Sequence, residues 1–161
     1  MSSADRQFER RTGMAKSRGF SLIELLIVVA IILIIAAIAI PNLIKAKMAA
    51  NESAAVSGIH AVNTAEIAYS TANPTLGFST TLVILGPAGG GFIDSTLANG
   101  TKSGYTYTYT PTGATPYLGY TVTVDPVVRG SSGQRSFYSD QANVTHYNQS
   151  ATAAATDPAL Q

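Results

Sequence analysis

The longest unbroken apolar run in the chain is residues 25–40, sixteen side chains without a polar one. Extended back to Phe20 it reaches twenty-one, with only Ser21 and Glu24 polar. As a helix it spans about 30 Å, the thickness of one hydrocarbon core. Beyond Pro41 the periodicity stays helical but the composition becomes amphipathic. Ile44, Met48, Ala55, Ile59, Val62 and Tyr69 recur at steps of three, four or seven, and Val56 and Ile67 widen the stripe. Gly58 interrupts it at a cost of about 1 kcal/mol. One helix over residues 20–72 would be about 80 Å long, too long for a compact domain of this size. Its second half, residues 42–72, is therefore expected to be the spine on which the rest packs. Asn73-Pro74 stops it, because a residue before proline avoids the helical region.

Residues 73–104 carry most of the glycine punctuation and predict a loop, with a short ordered piece around residues 81–85. Period-two alternation follows. In Tyr105-Thr106-Tyr107-Thr108-Tyr109-Thr110 the three Tyr share one face and the three Thr the other. Pro111-Thr112-Gly113 turns the chain, and residues 117–124 alternate again, with Tyr120, Val122 and Val124 together. Residues 135–139 and 144–147 complete a sheet of three or four antiparallel strands, joined by a turn with a left-handed position at Asn143. A sheet this small must lay its Tyr or Val face on the helix stripe, giving an α+β fold. The divisions expected are a basic head at 1–19, an apolar helix at 20–41, a globular domain at 42–149 and a flexible tail at 150–161 with little to bury.

Charge changes this picture at one end. The first nineteen residues hold five bases against two acids, whereas the rest hold five against seven. A basic head before an apolar run is a targeting pattern, and its bias places the amino terminus in the cytoplasm. Ala36, Ala37 and Ala39 also allow secretion with cleavage near Pro41. Glu24 needs a reason, since a carboxylate within a bilayer costs about 2.5–3.5 kcal/mol on insertion scales. It either snorkels to the nearby interface or meets a counter-charge, and no Lys or Arg lies between Arg18 and Lys45. An α-amino group freed by a cut just before the helix would supply one.

The stretch from Gly19-Phe20-Ser21-Leu22-Ile23-Glu24 through the apolar run to Pro41 closely resembles the amino-terminal motif of type IV pilins and of type II secretion pseudopilins. That resemblance implies cleavage between Gly19 and Phe20 by a prepilin peptidase and N-methylation of Phe20. It implies that Glu24 neutralises the Phe20 amine of a neighbouring subunit, with Leu33 and Pro41 governing how the helix loosens on assembly. Members commonly carry Gly at the place of Leu33. It further implies a precursor in the bacterial inner membrane that meets lipid first. An assembly platform and an assembly ATPase then build it into an extracellular homopolymer, a filament of the kind that serves adhesion or motility. The secretion pseudopilus is the alternative, and a membrane-anchored binding module a third reading.

Other chemistries find little support. The chain lacks Cys, so disulfides and thiolates are excluded. Gly89-Gly90-Gly91 lacks the Lys-Ser/Thr of a phosphate loop, and no Ser sits in a Gly-x-Ser-x-Gly setting. His60 and His146 share no ligand spacing. Pseudopilins resembling this chain bind calcium near the carboxyl terminus, which makes Asp125 and Asp140 the calcium candidates, although no Asp/Asn ladder ends in Glu. Five dispersed bases make no groove for nucleic acid. A structural subunit without cofactor or catalytic site is the expectation.

Overall fold

The computed structural model describes residues 19–160; the basic head, residues 1–18, and Gln161 lie outside the described residues. Helix α1 spans Leu22–Ala72. The chain divides into two units, Met1–Ala39 and Ile40–Gln161, the first holding the apolar stretch of α1 and the second its amphipathic continuation. In the first unit, residues 22–39 have no core of their own. Every one is exposed except Ala36, which is half-buried.

In the second unit, α1 is followed by α2 (Leu82–Leu85), α3 (Ser95–Ala98) and strands β1 (Thr101–Lys102), β2 (Tyr105–Thr112), β3 (Gly119–Pro126), β4 (Ser136–Asp140) and β5 (His146–Asn148). The strands form one antiparallel meander in the order β1-β2-β3-β4-β5. The alternation read in the sequence sets its faces. Tyr105 and Tyr107 of β2, Tyr120, Val122 and Val124 of β3 and Phe137 of β4 are buried with Ala55, Ile59 and Val62 of α1. Thr106, Thr108 and Thr110 are exposed.

Tyrosine rather than phenylalanine lines this core because each ring carries its hydroxyl to an acceptor on the far side. The Tyr105 hydroxyl donates to the Arg135 carbonyl at 2.8 Å, Tyr109 to that of Ser79 at 2.8 Å, and Tyr107 to that of Ala55 at 3.3 Å. Tyr120 donates to Asn63 Oδ1 at 2.9 Å, and Asn63 in turn donates to Ser139 Oγ at 2.9 Å. Burial pushes the Tyr107 hydroxyl up to about 12 and raises those of Tyr105, Tyr109 and Tyr120 further. Gly58 gains a reason here. A Cβ at this position would stand 2.2 Å from the Tyr107 hydroxyl, so the glycine that weakens the helix makes the seat for a sheet tyrosine.

Three expectations need correction. The sheet has five strands, not three or four, because Ser103 and Gly104, both at positive φ, fold Thr101–Lys102 back onto β2. Residues 73–104 are not a plain loop. They place Leu82, Leu85, Ile93, Leu97 and Ala98 in the core, and Asp94 starts α3 by accepting from the Thr96 and Leu97 amides. The apolar stripe is partly covered, in keeping with so small a sheet: Ile44 and Ile67 are exposed and Met48 is half-buried. Composition marks 150–161 as a flexible tail, yet residues 150–160 are tied to β5. Tyr147 N–H donates to the Pro158 carbonyl and Leu160 N–H to that of Thr145. Asn148 Oδ1 accepts the Ser150 and Ala151 amides, and Asp157 accepts the Ala154 amide. Paired backbone, rather than apolar burial, holds this segment.

Candidate assembly site

Gly19, Phe20 and Ser21 precede α1, and the Ser21 carbonyl accepts the first helical bond, from Leu25 N–H at 3.2 Å. Glu24 falls in the first turn, where a carboxylate is favoured by the unpaired amides and the positive end of the helix dipole. It forms no ion pair or side-chain hydrogen bond among the described residues. Phe20, Leu22, Ile23 and Leu33 are all exposed, Phe20 to 82%. Pro41 lies inside α1, where it has no N–H to give the Ala37 carbonyl. This helix is long and apolar enough to cross a membrane. The segment therefore presents apolar surface on every side, one carboxylate near its start, and one defect in its hydrogen-bond ladder.

Residues 14–40 match the family described as the prokaryotic N-terminal methylation motif. The chain is also 52% identical over 54 residues to the type IV major pilin protein PilA of Myxococcus xanthus, covering 34% of this chain and 24% of that protein. Over 40 residues it is 58% identical to the type IV wide pilus major component PilA4 of Thermus thermophilus, covering 25% of this chain and 30% of that protein. By its amino-terminal segment the chain is similar to type IV pilins. The matched stretches span less than a third of either relative, so the likeness is carried by the apolar helix and its flanks. The remainder of the chain, including its sheet, stands on its own geometry.

The two calcium candidates are apart. Asp125 Oδ1 accepts from Ser136 Oγ at 2.7 Å, with Arg129 at 4.0 Å. Asp140 Oδ1 accepts the Ala142 amide, and its Oδ2 lies 3.4 Å from the Tyr138 hydroxyl. Asp140 stands opposite Thr121, four residues along β3 from Asp125, a separation of about 13 Å. No group of three or more His, Asp or Glu able to hold a metal occurs among the described residues.

Two carboxylates that no sequence pattern singled out fasten the helix to the sheet and loops. Glu52 is 8% exposed. Its Oε1 accepts the Gln134 and Arg135 amides at 2.9 and 3.1 Å, and its Oε2 pairs with Arg135 Nε at 2.7 Å. Burial works against its charge, but the Gln134 amide and the Arg135 guanidinium outweigh it and hold the carboxyl below the usual range. Glu66 is fully buried and accepts from Ser79 N–H at 2.9 Å and Ser79 Oγ at 2.5 Å. The signal was present, since acids at 52 and 66 fall on the apolar face of α1, three before Ala55 and four after Val62. What could not be read was which distant backbone would meet them.

Proposed function

We propose that the chain is the structural subunit of an extracellular type IV pilus and performs no catalysis. It is made as an inner-membrane precursor with its amino terminus in the cytoplasm. It is cut between Gly19 and Phe20 by a prepilin peptidase, N-methylated at Phe20, and built into a homopolymer by an inner-membrane platform and its ATPase. The observation that carries this reading is a helical segment with no core of its own and one carboxylate near its start. Such a segment leaves lipid only when copies of itself replace the lipid. Repetition of one heterologous contact without ring closure yields a helical filament. Glu24 then neutralises the Phe20 amine of an adjoining copy. Both relatives are named as major components, which supports a major-subunit role.

At position 33, Leu favours helix by about 1 kcal/mol over the Gly common in relatives, so loosening during assembly is confined to residues 37–40, next to Pro41. Sheared filaments should contain this chain with an intact mass that begins at methylated Phe20. An uncut head or a chain beginning after Ala39 contradicts the reading. Glu24→Ala should leave the membrane level of the chain equal to or above the parent and abolish filaments. Normal filaments from that variant would mean that Glu24 only snorkels.

A further inference from the structure

The five bases of the described chain fall into two groups. Lys102, Arg129 and Arg135 each lie within 4.0 Å of a carboxylate, those of Asp94, Asp125 and Glu52. Lys45 and Lys47 are the two that pair with none among the described residues, and every residue from 40 to 47 is exposed. They are the first bases after the apolar run. Lys45 lies five residues beyond Ile40, about 7.5 Å along the helix, within reach of a snorkelling side chain. Their position also works against membrane orientation, because bases following the span weaken the bias that keeps the amino terminus inside. Two residues apart on a helix is about 200° around its axis, so the two ammonium groups leave opposite sides of α1. A plane of headgroups surrounds the helix and so reaches both.

We propose that Lys45 and Lys47 bind the phosphates of lipid headgroups on the outer side of the membrane and so fix the depth at which the precursor sits before assembly. The inference rests on the membrane-inserted precursor reading above. Each lysine near an anionic surface strengthens attachment about fivefold, and salt weakens the effect within a Debye length.

Because the chain has no Cys, Leu43→Cys gives the full-length protein a single thiol one turn or less from both lysines. In vesicles of phosphatidylglycerol that thiol should react slowly with a membrane-impermeant maleimide. Lys45→Glu with Lys47→Glu should raise the rate about 25-fold. Molar salt should raise it in the parent, and phosphatidylcholine vesicles should show a smaller difference. A rate indifferent to charge reversal overturns the inference while leaving the pilus reading intact. So does loss of filaments by the reversed chain at an unchanged rate, which would assign the lysines to a protein partner. A parent chain that never enters the vesicles would overturn both readings.

Discussion

In the first part of α1, residues 22–39, every side chain is exposed but for the half-buried Ala36, and in the later part eight residues between Glu52 and Glu66 are buried. The first stretch is more hydrophobic, yet its side chains stay exposed among the described residues. The second is Ala-rich and interrupted by Gly58, Asn63 and two acids, yet it carries a core. Apolar content therefore does not decide what packs inside a subunit. Relief does. Small residues on α1 let the tyrosines of β2 approach, and the acids at 52 and 66 catch backbone amides of segments that would otherwise hang loose. The bulky stretch of residues 22–39 carries no such relief, and its side chains stand exposed.

The contrast is tested most severely by cutting between the two. A chain beginning at Asn42 should lose all capacity to polymerise yet remain a folded monomer with mixed helix and strand in its far-ultraviolet spectrum. An unfolded product would show that the later half of α1 depends on the earlier.

A smaller effect is expected at Glu52. Glu52→Ala leaves two amides and a guanidinium without their acceptor and should cost the 42–161 unit about 3 kcal/mol in denaturant unfolding. The same carboxylate gives a pH dependence. Its folded value is lowered, so its contribution is complete above the ordinary Glu range and is lost as pH falls through the folded value. Unfolding midpoints of the parent should drop in acid more steeply than those of Glu52→Gln.

At Gly58 two effects oppose each other. Ala gains about 1 kcal/mol of helix propensity, whereas the added Cβ meets the Tyr107 hydroxyl, and overpacking of this kind costs about 1–3 kcal/mol. Net destabilisation of about 1 kcal/mol is expected, and relief by Tyr107→Phe in the same chain would identify the clash. The smallest effect is expected from calcium. With Asp125 and Asp140 about 13 Å apart, millimolar calcium should leave the unfolding midpoint where it was; a rise of several degrees would bring both residues forward as ligands.

The fold was legible where periodicity carried it. The helix end at Asn73, the tyrosine and valine faces of β2 and β3, and the left-handed Asn143 all follow from local chemistry. Other features depend on contacts far apart in sequence. Arg135 closes on Glu52 across 83 positions and Asn51 on the Ser132 carbonyl across 81, and no window of neighbours announces either. The Gly-rich stretch read as loop because its order comes from backbone bonds, such as Gly90 N–H to the Ile84 carbonyl and Phe92 N–H to that of Leu85. The assembly segment is the reverse case. Its residue types are plain in the sequence, and among the described residues Glu24 and Phe20 find nothing to bind.

The treatment of the sheet's two rims bears on how such a molecule is kept in reserve. On one side Tyr147 is bonded to Pro158, and the segment ending at Leu160 runs along β5. On the other, β1 covers the start of β2, and Tyr107 N–H is used by the Gly100 carbonyl. Strand residues alternate in the side to which they bond, so Pro111 faces the same way as Tyr107 and lacks the N–H that an added strand would need. Cross-β growth is thus blunted at both margins. If the chain is the pilus subunit proposed above, a cell can hold a large stock of such monomers side by side without nucleating an irreversible fibril, and polymer growth stays under the control of whatever draws the helix out of the bilayer.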